Sequence, residues 1–135
     1  MATKRGRRVI LASIALGGAL GAVARYGMSG WVHEHASATF PWGTLAVNVL
    51  GCFLLGLAVW SLRVAAVPVP VRGFVTIGLL GAFTTFSTFS FEAVALLQDG
   101  EWLRAALYLG ASVLLGLLAM LAGLALAGAV IQLRG

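Results

Sequence analysis

An all-α integral membrane fold of four spans is what this chain's composition, its unbroken apolar runs and the polar joints between them predict. Of 135 residues, 61% are hydrophobic and 10% charged, and the mean hydropathy is +1.02, far outside the soluble globular range. A bilayer core about 30 Å thick takes roughly 20 mostly apolar residues per helix, so a chain of this length supplies about four spans and leaves no room for a soluble domain. Apolar windows of this length are helices, since barrel strands alternate over about ten residues.

The spans fall near Val9–Ser29, Gly43–Leu62, Arg72–Gln98 and Trp102–Ile131, which makes residues 1–135 a single transmembrane domain. Polar or proline-bearing joints separate them: His33-Glu34-His35 to Pro41, Arg63 to Arg72 with Pro68 and Pro70, and Gln98-Asp99-Gly100-Glu101. The first span follows Lys4, Arg5, Arg7 and Arg8 and carries Gly17-x-x-x-Gly21, small faces that let helices approach closely. Its basic start and Ala22-Val23-Ala24 also fit a cleaved signal peptide; three further spans and Arg25-Tyr26 directly after that site argue against cleavage. In the second span Thr44 and Asn48 share a helical face, where a buried amide either coordinates an anion or ties two helices together.

The third span holds the run Gly81-Ala-Phe-Thr-Thr-Phe-Ser-Thr-Phe-Ser-Phe-Glu92. Hydroxyls and a carboxylate are unfavourable at membrane depth without partners, water or an ion, so something polar binds or passes there. Two readings of Gly81 and Thr84-Thr85 stand. In one the helix unwinds near its middle and releases carbonyls suited to a small cation; in the other the hydroxyls bond back to preceding carbonyls in an intact helix. Phe86 and Phe89, three apart, share a face for core packing or for presenting positive ring edges to an anion. The fourth span carries a hydroxyl stripe, Tyr108 and Ser112 with Gly116 next, for a wetted path or for bonds between helices. Arg25 and Glu92 are the charges nearest span interiors: boundary residues, partners of one another, or parts of an ion vestibule.

The formal net charge of +5 reflects basic residues scattered among span ends, not a nucleic-acid surface. Lys4, Arg5, Arg7, Arg8, Arg63, Arg72 and Arg134 fall on one side and Arg25 and Arg104 on the other, so the positive-inside rule puts both termini in the cytoplasm. Cys52 is the single cysteine, which excludes an intrachain disulfide and a thiol metal site. His33 and His35 sit with Glu34 in a loop and lack companions for catalysis or a closed metal site, so no enzyme is expected. No internal repeat is evident, and four short helices enclose little interior, so an assembly must be made from separate chains.

Three stretches, Gly17-Gly-Ala-Leu-Gly-Ala-Val-Ala-Arg25-Tyr26, Gly43-Thr-Leu-Ala-Val-Asn48-Val-Leu-Gly51 and above all Gly81 to Glu92, resemble the Fluc family of microbial fluoride channels. The resemblance covers essentially the whole chain, and G-x-x-T-T-F-S-T-F-S-x-E is its most specific part. It implies a channel in the cell membrane, an antiparallel dual-topology dimer with two fluoride pathways along the subunit interface and one structural sodium ion at the centre. On matching positions it makes Phe86 and Phe89 the ring edges that meet fluoride and Asn48 the amide donor, with Ser87 and Thr88 beside the path. Gly81 and Thr84 would give backbone carbonyls to sodium, and Thr44, Tyr108 and Ser112 would form the polar track. Arg25 and Glu92 match family positions without an assigned step. Gly116 departs from the family's hydroxyl, and the seven-to-two charge bias is steep for dual insertion, so the partner is either an identical copy or an oppositely oriented homologue.

Such a channel conducts passively. Fluoride is small and tightly hydrated, so a dry path must replace its water with donors and ring edges, and a central cation offsets anion repulsion. Two other functions fit a short four-helix chain: a proton-coupled exporter of the small multidrug type, which resembles its kin in a first-span carboxylate absent here, and a non-transporting assembly protein.

Overall fold

A computed structural model describes residues 4–36 and 39–133; Arg134, counted above among the basic residues, lies outside the described residues. Helix α1 (Lys4–His35) has 32 residues, about 48 Å at 1.5 Å per residue, so it overshoots the apolar run at both ends. The His33-Glu34-His35 segment, expected in a joint, therefore closes α1. His35 Nδ1 lies 2.8 Å from Trp31 O and its ring stacks on Trp31 at 4.7 Å.

Helix α2 (Trp42–Val64) starts behind Pro41 and ends where the Ala65 N–H donates to Ser61 O. Pro68 then leads into α3 (Val69–Arg72), a π-helical stretch Gly73–Leu79 and α4 (Leu80–Phe83). The chain is extended at Thr84 (φ −84°, ψ 156°) and Thr85 (φ −148°, ψ 120°), after which α5 (Phe86–Gln98) resumes the span. Gly100, with φ of 77°, takes the left-handed conformation that glycine adopts freely; its N–H bonds Leu97 O at 3.2 Å and Glu101 N–H bonds Leu96 O at 2.9 Å, closing α5. Helix α6 (Trp102–Gln132) is the last helix among the described residues.

Among the described residues four helical spans are thus long and apolar enough to cross a membrane, and the third is broken near its middle, the first of the two readings of Gly81 and Thr84-Thr85. Hydroxyls do bond back to preceding carbonyls, Thr84 Oγ1 to Leu80 O at 3.1 Å and Ser90 Oγ to Phe86 O at 2.9 Å, yet the helix breaks between them.

Lipid is as apolar as leucine, so helices in a membrane associate through close contact of small residues rather than by hydrophobic burial. Two seams do this. Along α1, a Cβ on Gly17 would meet Phe74 O and one on Gly21 would meet Leu79 O; a Cβ on Gly78 would stand 2.6 Å from Ile14 O. Gly73 and Gly78 both turn toward Ile14; positions five apart diverge by about 140° on an α-helix, and the wider π register brings them to one face. Between α2 and α6, Gly56 backs onto Met120 O and Gly123 onto Phe53 O. The small core is Leu45, Phe89, Ala93 and Tyr108, while Leu16, Leu20, Leu114, Leu117 and Leu121 point outward.

Candidate functional site

The break at Thr84-Thr85 is held from α2. Asn48 Nδ2 donates to Thr85 O at 3.0 Å and Asn48 Oδ1 accepts from Thr85 N at 2.8 Å, so one carboxamide satisfies both main-chain groups of an extended residue. Thr85 in turn caps α5: its Oγ1 accepts from Thr88 N at 3.2 Å and donates to Thr88 Oγ1 at 3.0 Å, the usual work of an N-cap threonine. These two diversions have a consequence for the carbonyls. In a continuous helix the N–H of Thr85 would bond Gly81 O and that of Thr88 would bond Thr84 O; here the first goes to Asn48 and the second to the Thr85 hydroxyl. Gly81 and Thr84 are left with carbonyl oxygens free of their helical donors, the hard oxygen ligands that small cations take where helices break.

One turn further along α5, Glu92 is a second node. Its Oε1 accepts from Thr44 Oγ1 at 2.8 Å and its Oε2 from Tyr108 OH at 2.6 Å, with Thr44 and Tyr108 both buried. Three spans are thereby tied to one carboxylate, which makes its burial tolerable. Arg25 and Glu92 line the same cavity of ≈ 430 Å³ with His33, Thr44, Thr85 and Thr88. The ion pair formed among the described residues is Arg104 with Glu101, at 3.1 Å, so the mutual partnership of Arg25 and Glu92 is not formed, although the two side chains line one cavity.

Beyond Thr85 a second cavity of ≈ 260 Å³ is lined by Asn48, Thr84, Thr85, Phe86, Phe89 and Ser112 among others. Phe86 and Phe89 ring centroids are 5.5 Å apart at 45°. Phe89 is buried against Tyr108 at 5.2 Å, whereas Phe86 is 78% exposed. The Ser112 hydroxyl is buried with no protein partner among the described residues. Thr85 lines both cavities, so polar groups run from Arg25 and Glu92, past Thr85 and Asn48, to Ser112.

A family profile described as "CrcB-like protein, Camphor Resistance (CrcB)" matches residues 12–124. The chain belongs to this CrcB-like family. Among its relatives, proteins called fluoride-specific ion channel FluC are 48% identical in Thermus thermophilus, over 87% of this chain and 93% of theirs, and 52% identical in Geobacter metallireducens, over 77% and 85%. A third, from Hahella chejuensis, is 51% identical over 86% of this chain and 92% of its own. The chain is accordingly a multi-pass membrane protein.

The CrcB-like match contains both glycine seams and every residue of the site from Arg25 to Ser112. The fold brings Thr44, Tyr108 and Glu92 into hydrogen-bond contact and sets Asn48, Phe86, Phe89 and Ser112 around one cavity. Thr88 lines the cavity of Arg25 and Glu92, Ser87 is exposed beside Phe86, and Gly81 stands on the exposed side of the break. Gly116 is buried, and a Cβ there would lie 3.6 Å from Cys52 Sγ, ordinary contact. The sequence places Thr85 at the helix break but not on the path, although Thr85 lines both cavities. A threonine three residues before Thr88 at a helix start was the available signal, since that spacing is what a capping hydroxyl needs.

Proposed function

We propose that this chain is one subunit of a passive, fluoride-selective channel that lowers cytoplasmic fluoride. The observation that carries the reading is the cavity in which the Asn48 amide, the buried Ser112 hydroxyl and the Phe86 and Phe89 rings converge; the name that its close relatives bear supports it. An amide has two N–H donors, and Asn48 commits one to Thr85 O, which leaves the other for fluoride. Ring edges at Phe86 and Phe89 carry partial positive charge toward the same point and exclude water. Ser112, Ser87 and Thr88 supply hydroxyls before and after it, and Thr44 and Tyr108, whose protons go to Glu92, complete the polar track. Arg25 in the vestibule raises local anion concentration.

The subunit presents one wall of this path. Phe86 is 78% exposed and Ser87 beside it is exposed too, so a second subunit must close the conduit, and an antiparallel dimer gives two such paths. The carbonyls of Gly81 and Thr84 suit sodium at the centre, two from each subunit; when bound, the ion supplies positive charge against anion repulsion. In the orientation that the charge bias favours, both termini are cytoplasmic, and the opposed partner is an identical copy or a homologue. Hydrogen fluoride enters cells as a neutral weak acid and ionises inside, so a passive leak exports fluoride when the membrane is negative inside.

The proton-coupled exporter is disfavoured because the chain's membrane carboxylate, Glu92, is held by two hydroxyl donors instead of being free to load and release protons. Fluoride efflux from proteoliposomes of purified protein, with and without an imposed proton gradient, tests the reading. A channel empties the vesicles rapidly in both conditions; efflux that needs the gradient would replace the reading with an exporter, and no efflux with a scaffold.

A further inference from the structure

At the end of the bundle opposite the cavity of Arg25 and Glu92, α2 and the start of the third span leave a cavity of ≈ 350 Å³ lined by Val59, Arg63, Arg72 and Thr76. Each side contributes a pair four residues apart, so each arginine stands one turn nearer the membrane surface than the Val59 or Thr76 beneath it. Thr76 Oγ1 is engaged with Arg72 O at 2.9 Å, which fixes the floor on that side. Val59 is 45% exposed, so the cavity opens toward lipid as well as toward the surface.

Among the described residues the two guanidiniums meet no carboxylate. All four acidic residues, Glu34, Glu92, Asp99 and Glu101, lie on α1 past its middle, on α5 or in the joint after it, at the other end of the bundle. On this end stand Lys4, Arg5, Arg7, Arg8, Arg63 and Arg72, and no acid among the described residues. No carboxylate among the described residues serves this cavity as a counter-anion.

We propose that this cavity holds the phosphodiester headgroup of an anionic phospholipid, with Arg63 and Arg72 on the phosphate and an acyl chain running down Val59. Arginine forks match phosphate oxygens in two-point fashion, and basic pockets between spans on the cytoplasmic side are where anionic headgroups bind. A zwitterionic headgroup would bring its own cation against two guanidiniums and find no acid to receive it. A free phosphate would make no use of the lipid-facing floor.

Native mass spectrometry of the full chain, released from micelles containing phosphatidylglycerol or phosphatidylcholine, tests this. Phosphatidylglycerol should be retained preferentially, and its binding should weaken roughly thirtyfold in Arg63→Gln/Arg72→Gln. Val59→Trp, which fills the cavity and keeps both charges, should lose the lipid as well. Fluoride efflux in phosphatidylcholine vesicles, unchanged in these variants, shows that they are folded. Equal retention of the two lipids, or undiminished phosphatidylglycerol binding in the folded variants, overturns the proposal. Displacement of the lipid by millimolar inorganic phosphate would assign the cavity to the free anion and overturn it too.

Discussion

Replacing Asn48 with alanine removes both hydrogen bonds that hold the Thr85 main chain, at 3.0 and 2.8 Å. The N–H and C=O of Thr85 would then face membrane depth without partners, each costing about 1–3 kcal/mol, so the broken conformation loses about 2–6 kcal/mol. The chain has one escape: Thr85 N–H can turn back to Gly81 O and reseal the helix. Resealing would withdraw the Gly81 carbonyl and move Phe86 off the cavity, while the anion path also loses its amide. The assay pairs thermal unfolding in detergent with fluoride efflux from proteoliposomes. Both the unfolding temperature and the flux are expected to fall, the flux to the vesicle background. A variant that melts and conducts like the wild type would refute the clamp, and one that melts early yet conducts normally would refute its link to the path.

Other expectations test separate parts of the structure. Gly78→Ala places a methyl 2.6 Å from Ile14 O, a backbone atom, and should cost about 1–3 kcal/mol or more by forcing α1 away; Gly27→Ala, with nothing within 4 Å, should gain about 0.5–1 kcal/mol, and melting curves of the two distinguish them. Tyr108→Phe keeps the ring contacts with Phe89 and Phe40 and deletes the 2.6 Å bond to Glu92, so fluoride efflux should slow while the protein still elutes as a folded species on size exclusion. Ser112→Ala removes a hydroxyl that has no protein partner among the described residues, so stability should stay within about 0.5 kcal/mol while efflux drops.

The spans were legible because apolar runs as long as Trp42–Val64 leave no other secondary structure. The break was legible as one of two options, since Gly81 and Thr84-Thr85 permit both an unwound backbone and hydroxyls bonded back to carbonyls. What decides between them is Asn48, 37 residues away in sequence, and no local pattern reports so distant a partner. Glu92 illustrates the same limit: its two hydroxyl donors come from 48 and 16 residues away, so spacing alone left its partner open between Arg25 and other groups. The π register at Gly73–Leu79 had no periodic signature, because its purpose is to fit two glycines against Ile14 on another helix. The length of α1 was underestimated because hydropathy marks where lipid ends, and the helix continues past that point.

Parallel recordings of fluoride and chloride efflux from proteoliposomes of the unmodified protein, with sodium present and no proton gradient, address the central claim. The path of amide, hydroxyl and ring edges predicts rapid loss of fluoride and retention of chloride. Retention of both ions, or equal loss of both, would contradict it.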